Sequence, residues 1–479
     1  MCTGRQCFPR AVAPVVDNKV NESMGRNSIE SWLHNRIANE CGMNNQGHRQ
    51  LFTRQNVEAY HLIKLRQILR YAFEHSTFYR ELFDRAGVSP DHVNTLEDLS
   101  LLPFTEPAHL AQEPYRFLCT SRAEVARVFS FVTSGTTGPQ KKIFWSVEDL
   151  ERITDFMAVG MAMVAGPEDI IQIILPDGRP YSQADLLRLG VLKLGANPVV
   201  ADMESSAEDQ FELQQSMHST VIFGYAGQIY RMSKKLEAKH DLKKSGVRAL
   251  FLAAEYLPEA RRKELQNIWN CSVYTHYGLT EMGLGVAVEC EAHKGYHFNE
   301  VDLLLEVVDP QTGARVESGR EGELVFTTLT RRAMPLIRYR THDLSRLIPE
   351  TCSCGASTLL RIDSIRKRRE SVIFLSTGDE LYPALFDEVL CEIPGFIDYQ
   401  AVLKQRDQMD CLEFKIELVE EKPDSIACLH KNLAAIPALA KNISAGTMLE
   451  PSIEIVPWGA LKSENRAKKL ILDQRGQNQ

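Results

Sequence analysis

Long apolar runs are missing from this chain of 479 residues. A membrane-spanning helix needs roughly 18 or more consecutive apolar residues, and the best stretch, Ile170 to Pro176, falls far short of that. Positive charge is not in excess either: 55 Lys and Arg stand against 63 Asp and Glu, a net charge of −8. That balance argues against a protein built to coat nucleic acid. The first thirty residues lack the apolar h-region of a secretory signal and are expected to form a mobile extension. The 11 cysteines are odd in number and spread along the chain, so a disulfide framework is not expected and a reducing, cytoplasmic setting fits better. Internal repeats and low-complexity tracts are also lacking. What remains, 44% hydrophobic and 25% charged residues, is ordinary globular composition, and the length suggests two to four domains.

Hydrophobic periodicity supplies the organisation. Glu30 to Ala86 reads as largely helical, with Val57, Tyr60, Leu62, Ile63, Leu65, Ile68, Leu69 and Ala72 on one apolar stripe. From Val125 onward short apolar strands (VFSFV, IIQIILP, STVIFGY, VRALFLAAE, CSVYTHYG) alternate with helical segments such as VEDLERITDFMAVGMAMV and ADLLRLGVLKLG. That alternation predicts α/β layering with buried, partly parallel sheets whose strand ends face a ligand crevice. VDLLLEVVDPQTGARVESGREGELVFTTL reads as antiparallel strands. RIDSIRKRRES is basic and lacks apolar spacing, as a linker would. Beyond it the pattern predicts a small α+β unit: a strand Val372–Leu375, a helix from Pro383 to Cys391, strands near Ala401 and at Leu412–Val419, a helix Asp424–Leu439 and a strand Ile453–Val456. The expected division is therefore an extension over 1–30, a large domain of layered α/β subdomains plus a β-barrel-like segment over 31–366, a hinge at 367–371, and a small mobile α+β domain over 372–479.

Three segments carry chemistry. In Thr133-Ser134-Gly135-Thr136-Thr137-Gly138-Pro139-Gln140-Lys141, hydroxyls, glycines and a lysine follow a strand; small residues let backbone N–H groups close on phosphate oxygens, and lysine adds a point charge. The glycine spacing is not that of GxxxxGK[ST], and a plain flexible turn accounts for the composition as well. Tyr274-Thr275-His276-Tyr277-Gly278-Leu279-Thr280-Glu281 offers an aromatic face, a hydroxyl and a carboxylate, suited to a base, a phosphate and Mg²⁺; an ordinary strand end is the bland alternative. In Arg338-Tyr339-Arg340-Thr341-His342-Asp343, an aspartate after a strand can accept ribose hydroxyls, although a salt-bridged surface strand would read the same way.

In this order the segments, together with HSTFYRELFDRAGVSPDHVNTLEDLSLLPFTEP, LFLAAEYLP and GELVFTTLTRRAMPLIRYRTHD, resemble the adenylate-forming (ANL) superfamily, and within it the phenylacetate–coenzyme A ligases. The resemblance covers nearly the whole chain after the extension. It implies a two-step reaction in which a carboxylate attacks the α-phosphate of ATP to give acyl-AMP and pyrophosphate, and the thiol of coenzyme A then takes the acyl group. It further implies that Thr133, Ser134, Gly135, Thr136, Thr137, Gly138 and Lys141 line the β/γ-phosphates. Ala254, Glu255 and Tyr256 would flank adenine, and Tyr277, with Gly278 beside it, would stack on the base or line the acyl pocket. Thr280 would contact the α-phosphate, Glu281 would hold Mg²⁺, and Asp343 would bind the ribose. Arg368 resembles a ribose-contacting arginine at the hinge of a rotating C-terminal domain, with Arg369 nearly as good a choice.

The chain departs from the family pattern in two places. Glu370-Ser371 stands where the hinge usually has Asp. Arg466 occupies the slot of the catalytic lysine in Lys462-Ser463-Glu464-Asn465-Arg466-Ala467-Lys468-Lys469, and arginine is planar and bulkier than lysine. Arg466 acts, or Lys468 or Lys469 replaces it, or adenylation is impaired. Some relatives carry a structural zinc, for which Cys290, His297, Cys352 and Cys354 are the implied ligands, with His293 the alternative to His297; Cys₃His is a sound tetrahedral shell. The acyl pocket is expected near Ile173–Tyr181, Phe223–Tyr225 and Ala253–Tyr277, where aromatic and small residues suit a ring, and Asp177, Arg179 and Tyr181 would suit a polar acid. An aryl or arylacetic acid is the leading substrate class. An adenylating enzyme with a non-CoA acceptor and a nucleotide-binding homologue without catalysis are the alternatives. Small molecules are the expected partners, with neither nucleic acid nor membrane. Relatives are often homodimers, and the sequence marks no dimer surface.

Overall fold

A computed structural model describes residues 28–40, 52–131, 140–461 and 471–476. The fold is built on a nine-stranded sheet. Its parallel half runs, in spatial order, Ser272–Tyr277, Ala249–Ala253, Val221–Tyr225, Ile170–Ile174 and Asn197–Ala201. The inner strands read as near-continuous apolar runs because both faces are covered. The helices Val147–Met161 and Gln183–Leu194 cover one face, and Ala226–Glu237 and Glu259–Trp269 the other. Their ends follow from local chemistry. Ser146 accepts from the Asp149 N–H while the Asp149 carboxylate accepts from the Ser146 N–H, a capping box. Gly195, at φ 90°, stops Gln183–Leu194 in the left-handed region that glycine tolerates. Beyond Ser272–Tyr277 the sheet turns antiparallel through Ala287–Glu289, Tyr296–Phe298, Arg361–Ile362 and Leu347–Ile348.

The segment expected to be barrel-like is a four-stranded antiparallel sheet ordered Leu303–Val308, Gly322–Thr328, Tyr339–Ser345, Lys367–Arg368. The small domain pairs Phe396–Arg406 with Met409–Leu418 around a tight turn in which Asp407 and Gln408 both have positive φ, as a two-residue hairpin loop requires. The strands Ser452–Val456 and Ile471–Asp473 flank this hairpin in parallel. Among the described residues no helix is long and apolar enough to cross a membrane.

Two expectations need correction. The first described helix, Ser28–Glu40, begins inside the span assigned to the mobile extension. Ile29 is buried there, and the Glu30 carboxylate accepts from the backbone N–H groups of Ser357 (2.8 Å) and Thr358 (2.6 Å). The helix expected over Asp424–Leu439 is two helices, Ser425–Ala434 and Pro437–Ser444. Pro437 cannot continue a helix from within but suits the first turn of a new one.

Candidate functional site

The crevice lies at the carboxyl ends of the parallel strands. Ala254, Glu255 and Tyr256 follow the strand Ala249–Ala253, while Tyr277 and Gly278 end Ser272–Tyr277; all five line one cavity with Arg366 and Arg368 from the segment leading into the small domain. The helix Pro383–Leu390 of the small domain contributes Ala384 and Asp387 to the same walls. Ala254 has φ 75°, a strained value for a residue with a Cβ and a common mark of a ligand-binding turn. Gly278 is required by space, since a Cβ there would sit 1.7 Å from the Leu284 carbonyl oxygen.

Sheet register explains the next contact. Tyr339–Ser345 pairs with Lys367–Arg368 so that Asp343 faces Arg368 directly. Arg368 Nε lies 3.0 Å from Asp343 Oδ1, and the Tyr277 hydroxyl donates to Asp343 Oδ2 at 2.7 Å. Asp343 is 1% exposed, so this carboxylate is held by a cation and a phenol at the floor of the crevice. Burial, with the Asp343 charge beside it, pushes the Tyr277 phenol well above its ordinary value and keeps it a neutral donor. Arg366 stands over the Tyr256 ring at 5.8 Å, and the Tyr256 hydroxyl donates to Glu388 of the small domain.

A second buried polar centre involves the same strand, Tyr339–Ser345. Lys141, at the start of the strand Lys141–Ser146, sets Nζ 2.9 Å from Glu281 Oε1 and donates to the Tyr339 hydroxyl at 3.2 Å; that hydroxyl in turn donates to Glu281 Oε1 at 2.7 Å. All three side chains are buried. Burial alone would raise the Glu281 carboxyl; the Lys141 charge and the Tyr339 hydrogen bond outweigh it and hold the group below its ordinary value. Thr280 and Glu281 share one short helical turn, Thr280–Met282. The carboxylate expected to hold a metal ion is thus engaged by the lysine expected to hold phosphate.

Thr133, Ser134, Gly135, Thr136, Thr137 and Gly138, together with Arg466, Lys468 and Lys469, lie outside the described residues. Three contributors went unassigned in the sequence. Tyr339 was visible there, because period-two alternation places it on the face of Asp343 in the strand Tyr339–Ser345. His276, stacked on Phe223 at 5.5 Å, also lines the crevice; burial pushes its imidazole down to about 4, so it is neutral at physiological pH. Asp387 had no local signal.

A cluster of sulfur and nitrogen ligands sits apart from the crevice. One ligand atom each of Cys290, His297, Cys352 and Cys354 lies within 4.8 Å of the other three, and all four residues are buried. Cys290 Sγ is 3.5 Å from Cys352 Sγ, and Cys354 Sγ is 3.4 Å from His297 Nε2. Bonds of about 2.3 Å to a tetrahedral centre imply ligand separations of roughly 3.8 Å, so the four atoms suit a Cys₃His shell. His293 turns instead toward Glu289, its Nδ1 3.4 Å from Oε2.

Sequence and structure comparisons agree with this architecture. The family described as AMP-binding enzyme matches residues 97–329, and the AMP-binding enzyme C-terminal domain matches residues 378–475. The chain is 32% identical over 441 residues to a phenylacetate-coenzyme A ligase of Thermus thermophilus, covering 88% of this chain and 97% of that one. It is 29% identical over 417 residues to the ligase of the same name from Escherichia coli, covering 85% and 93%. Among solved structures, 2-hydroxyisobutyryl-CoA ligase in the postadenylation state is similar in fold, with a TM-score of 0.73 at 21% identity over 87% of this chain and 90% of that one.

Proposed function

The chain belongs to the AMP-binding, adenylate-forming enzyme family, and from that premise we propose that it activates an aryl or arylacetic carboxylic acid with ATP and transfers the acyl group to coenzyme A, releasing AMP and pyrophosphate. One observation carries the reading: Tyr256, Tyr277 and Arg368 line a single crevice at the strand ends, Asp343 is held by Tyr277 and Arg368, and Lys141 pairs with Glu281 in a separate buried centre. Identity near 30% over most of the chain with ligases named for phenylacetate supports the substrate class.

The chemical demand is charge handling, because a carboxylate anion must approach a polyphosphate. Asp343 accepts from the ribose hydroxyls, and Arg368 orients that aspartate. Tyr256 and Tyr277 present aromatic surface to the base. Lys141 leaves Glu281 for the phosphates, which frees a hard oxygen ligand suited to Mg²⁺. Magnesium supplies charge neutralisation on the phosphate oxygens when it is bound. Thr280 donates to the α-phosphate. Arg466 or Lys468 supplies the cation that accompanies the developing adenylate. In this reading a hinge at 367–371 separates a large domain, which includes the helix Ser28–Glu40, from a small domain over 372–479, and the crevice is lined from both sides of that hinge.

Cys290, His297, Cys352 and Cys354 hold a structural Zn²⁺ in this reading. Their role is to clamp the antiparallel end of the large sheet, outside the chemistry.

ATP–pyrophosphate exchange across a panel of aryl, arylacetic and indolic acids tests the proposal. Exchange with at least one such acid is expected, followed by AMP and thioester formation once coenzyme A is added. Exchange without thioester would transfer the reading to a different acceptor, and no exchange by a protein that still binds ATP would overturn it.

A further inference from the structure

We infer that Arg231 is a positioning residue that docks the small domain onto the large one and thereby completes the nucleotide crevice; the inference rests on the function proposed above. Three donors of the large domain grip three consecutive residues at the start of the strand Phe396–Arg406. The Tyr230 hydroxyl shares its one proton between Glu264 Oε2 at 2.7 Å and the Phe396 carbonyl at 3.0 Å. Arg261 Nη2 donates to the Ile397 carbonyl at 3.0 Å. Arg231 Nη2 reaches Asp398 Oδ2 at 3.1 Å and Glu417 Oε2 at 2.5 Å. The Ile397 side chain completes the grip, buried in the apolar cluster of the large domain that holds Leu265 and Trp269.

Arg231 is the member of this grip that carries ionic pairing. Its side chain is 17% exposed and that of Glu417 is 0%. A buried carboxylate that loses its cation while it stays buried is strongly unfavourable, so removing the Arg231 guanidinium weakens the docked state. The other oxygen of Glu417 accepts from the Leu461 backbone N–H at 3.1 Å, five positions in sequence before Arg466.

The grip is linked mechanically to the crevice. Asp398 is followed by Tyr399, whose hydroxyl donates to the Pro383 carbonyl at 3.0 Å. Pro383 opens the helix Pro383–Leu390, which places Ala384 and Asp387 in the crevice wall and Glu388 against Tyr256. Phe386 of that helix packs edge-on against Tyr399 at 5.9 Å. Moving residues 396–398 therefore moves the wall that faces the nucleotide.

The test uses the full chain as Arg231→Ala, Arg231→Lys, Asp398→Asn and the double variant Arg231→Ala with Asp398→Asn. AMP binding is measured by calorimetry, the half-reaction by pyrophosphate exchange, and compactness by small-angle X-ray scattering. Loss of one such coupled pair corresponds to about tenfold in affinity. Arg231→Ala is expected to weaken AMP about tenfold and to raise KM for ATP while kcat at saturating ATP stays within about twofold. Its radius of gyration should increase. Asp398→Asn, partly exposed and compatible with folding, should show the same shift in smaller measure. The double variant should be no weaker than Arg231→Ala, and Arg231→Lys should recover most of the affinity. AMP affinity unchanged across all four variants would overturn the inference, as would a loss in Arg231→Lys equal to that in Arg231→Ala. A wild-type protein that fails to bind AMP would instead defeat the function proposed above.

Discussion

Replacing Lys141 by methionine isolates the buried triad of Lys141, Glu281 and Tyr339. Methionine keeps much of the volume and removes the charge. Glu281 is then left in a dry site with the Tyr339 hydroxyl as its remaining donor from the triad. Breaking a buried pair on one side costs about 3–5 kcal/mol. With an unfolding entropy of about 2.1 cal/mol/K per residue, a cooperative large domain of about 340 residues would lose roughly 4–7 °C in Tm. The sign of the pH dependence follows from the carboxyl. Lys141 and Tyr339 hold Glu281 below its ordinary value of 4.5, so the pair stabilises the fold above that pH and is lost as the pH falls through the lowered value. The Tm gap between wild type and Lys141→Met should therefore be widest near pH 7 and narrow as the pH falls below 4.5. Adding Glu281→Gln should restore much of the loss, because a neutral pair no longer buries a lone charge. Differential scanning fluorimetry across pH provides the assay. A gap that does not vary with pH, or a double variant no more stable than the single one, would refute the reasoning.

Gly278→Ala should be destabilised by at least about 3 kcal/mol and lose AMP binding in calorimetry, because its Cβ meets the Leu284 carbonyl at 1.7 Å. His342 is pushed up to about 9: burial lowers it, but the Glu106 and Glu370 carboxylates more than offset this. Its stabilisation is complete below the ordinary histidine value of 6.5 and is lost as the pH rises through about 9, so the decline in Tm over that window should shrink in His342→Gln. Metal analysis of purified protein should find about one zinc per chain, and Cys352→Ser should lower both metal content and Tm.

What was legible in the sequence depended on the range of the interaction. The strands Ile170–Ile174, Val221–Tyr225 and Ala249–Ala253 announce themselves as apolar runs because burial on both faces leaves no polar alternation. Tyr277 and Asp343 stand in local motifs, so both could be singled out as candidates, and the structure brings them into contact. The pairing of Asp343 with Arg368 depends on register between strands in separate segments, and that of Lys141 with Glu281 spans 140 positions; neither has a periodicity to read. Pro437 was a visible breaker inside an otherwise helical pattern, and the expected helix ran through it. The strand Ile471–Asp473 was missed because three residues are too short for alternation to register.

The bond from Glu30 to Thr358 has a consequence for biosynthesis. It joins residues 328 positions apart, so the helix Ser28–Glu40 leaves the ribosome long before the Thr358 donor exists. The apolar face of that helix is covered sooner, since Leu33 and Ile37 cluster with Val57 and Tyr60 and Ile29 with Phe156 and Val159; at about 5–20 residues per second it is the Glu30 carboxylate that waits roughly 15–65 s. This contact between the helix and the rest of the large domain therefore closes only when the turn that follows Cys354 has emerged.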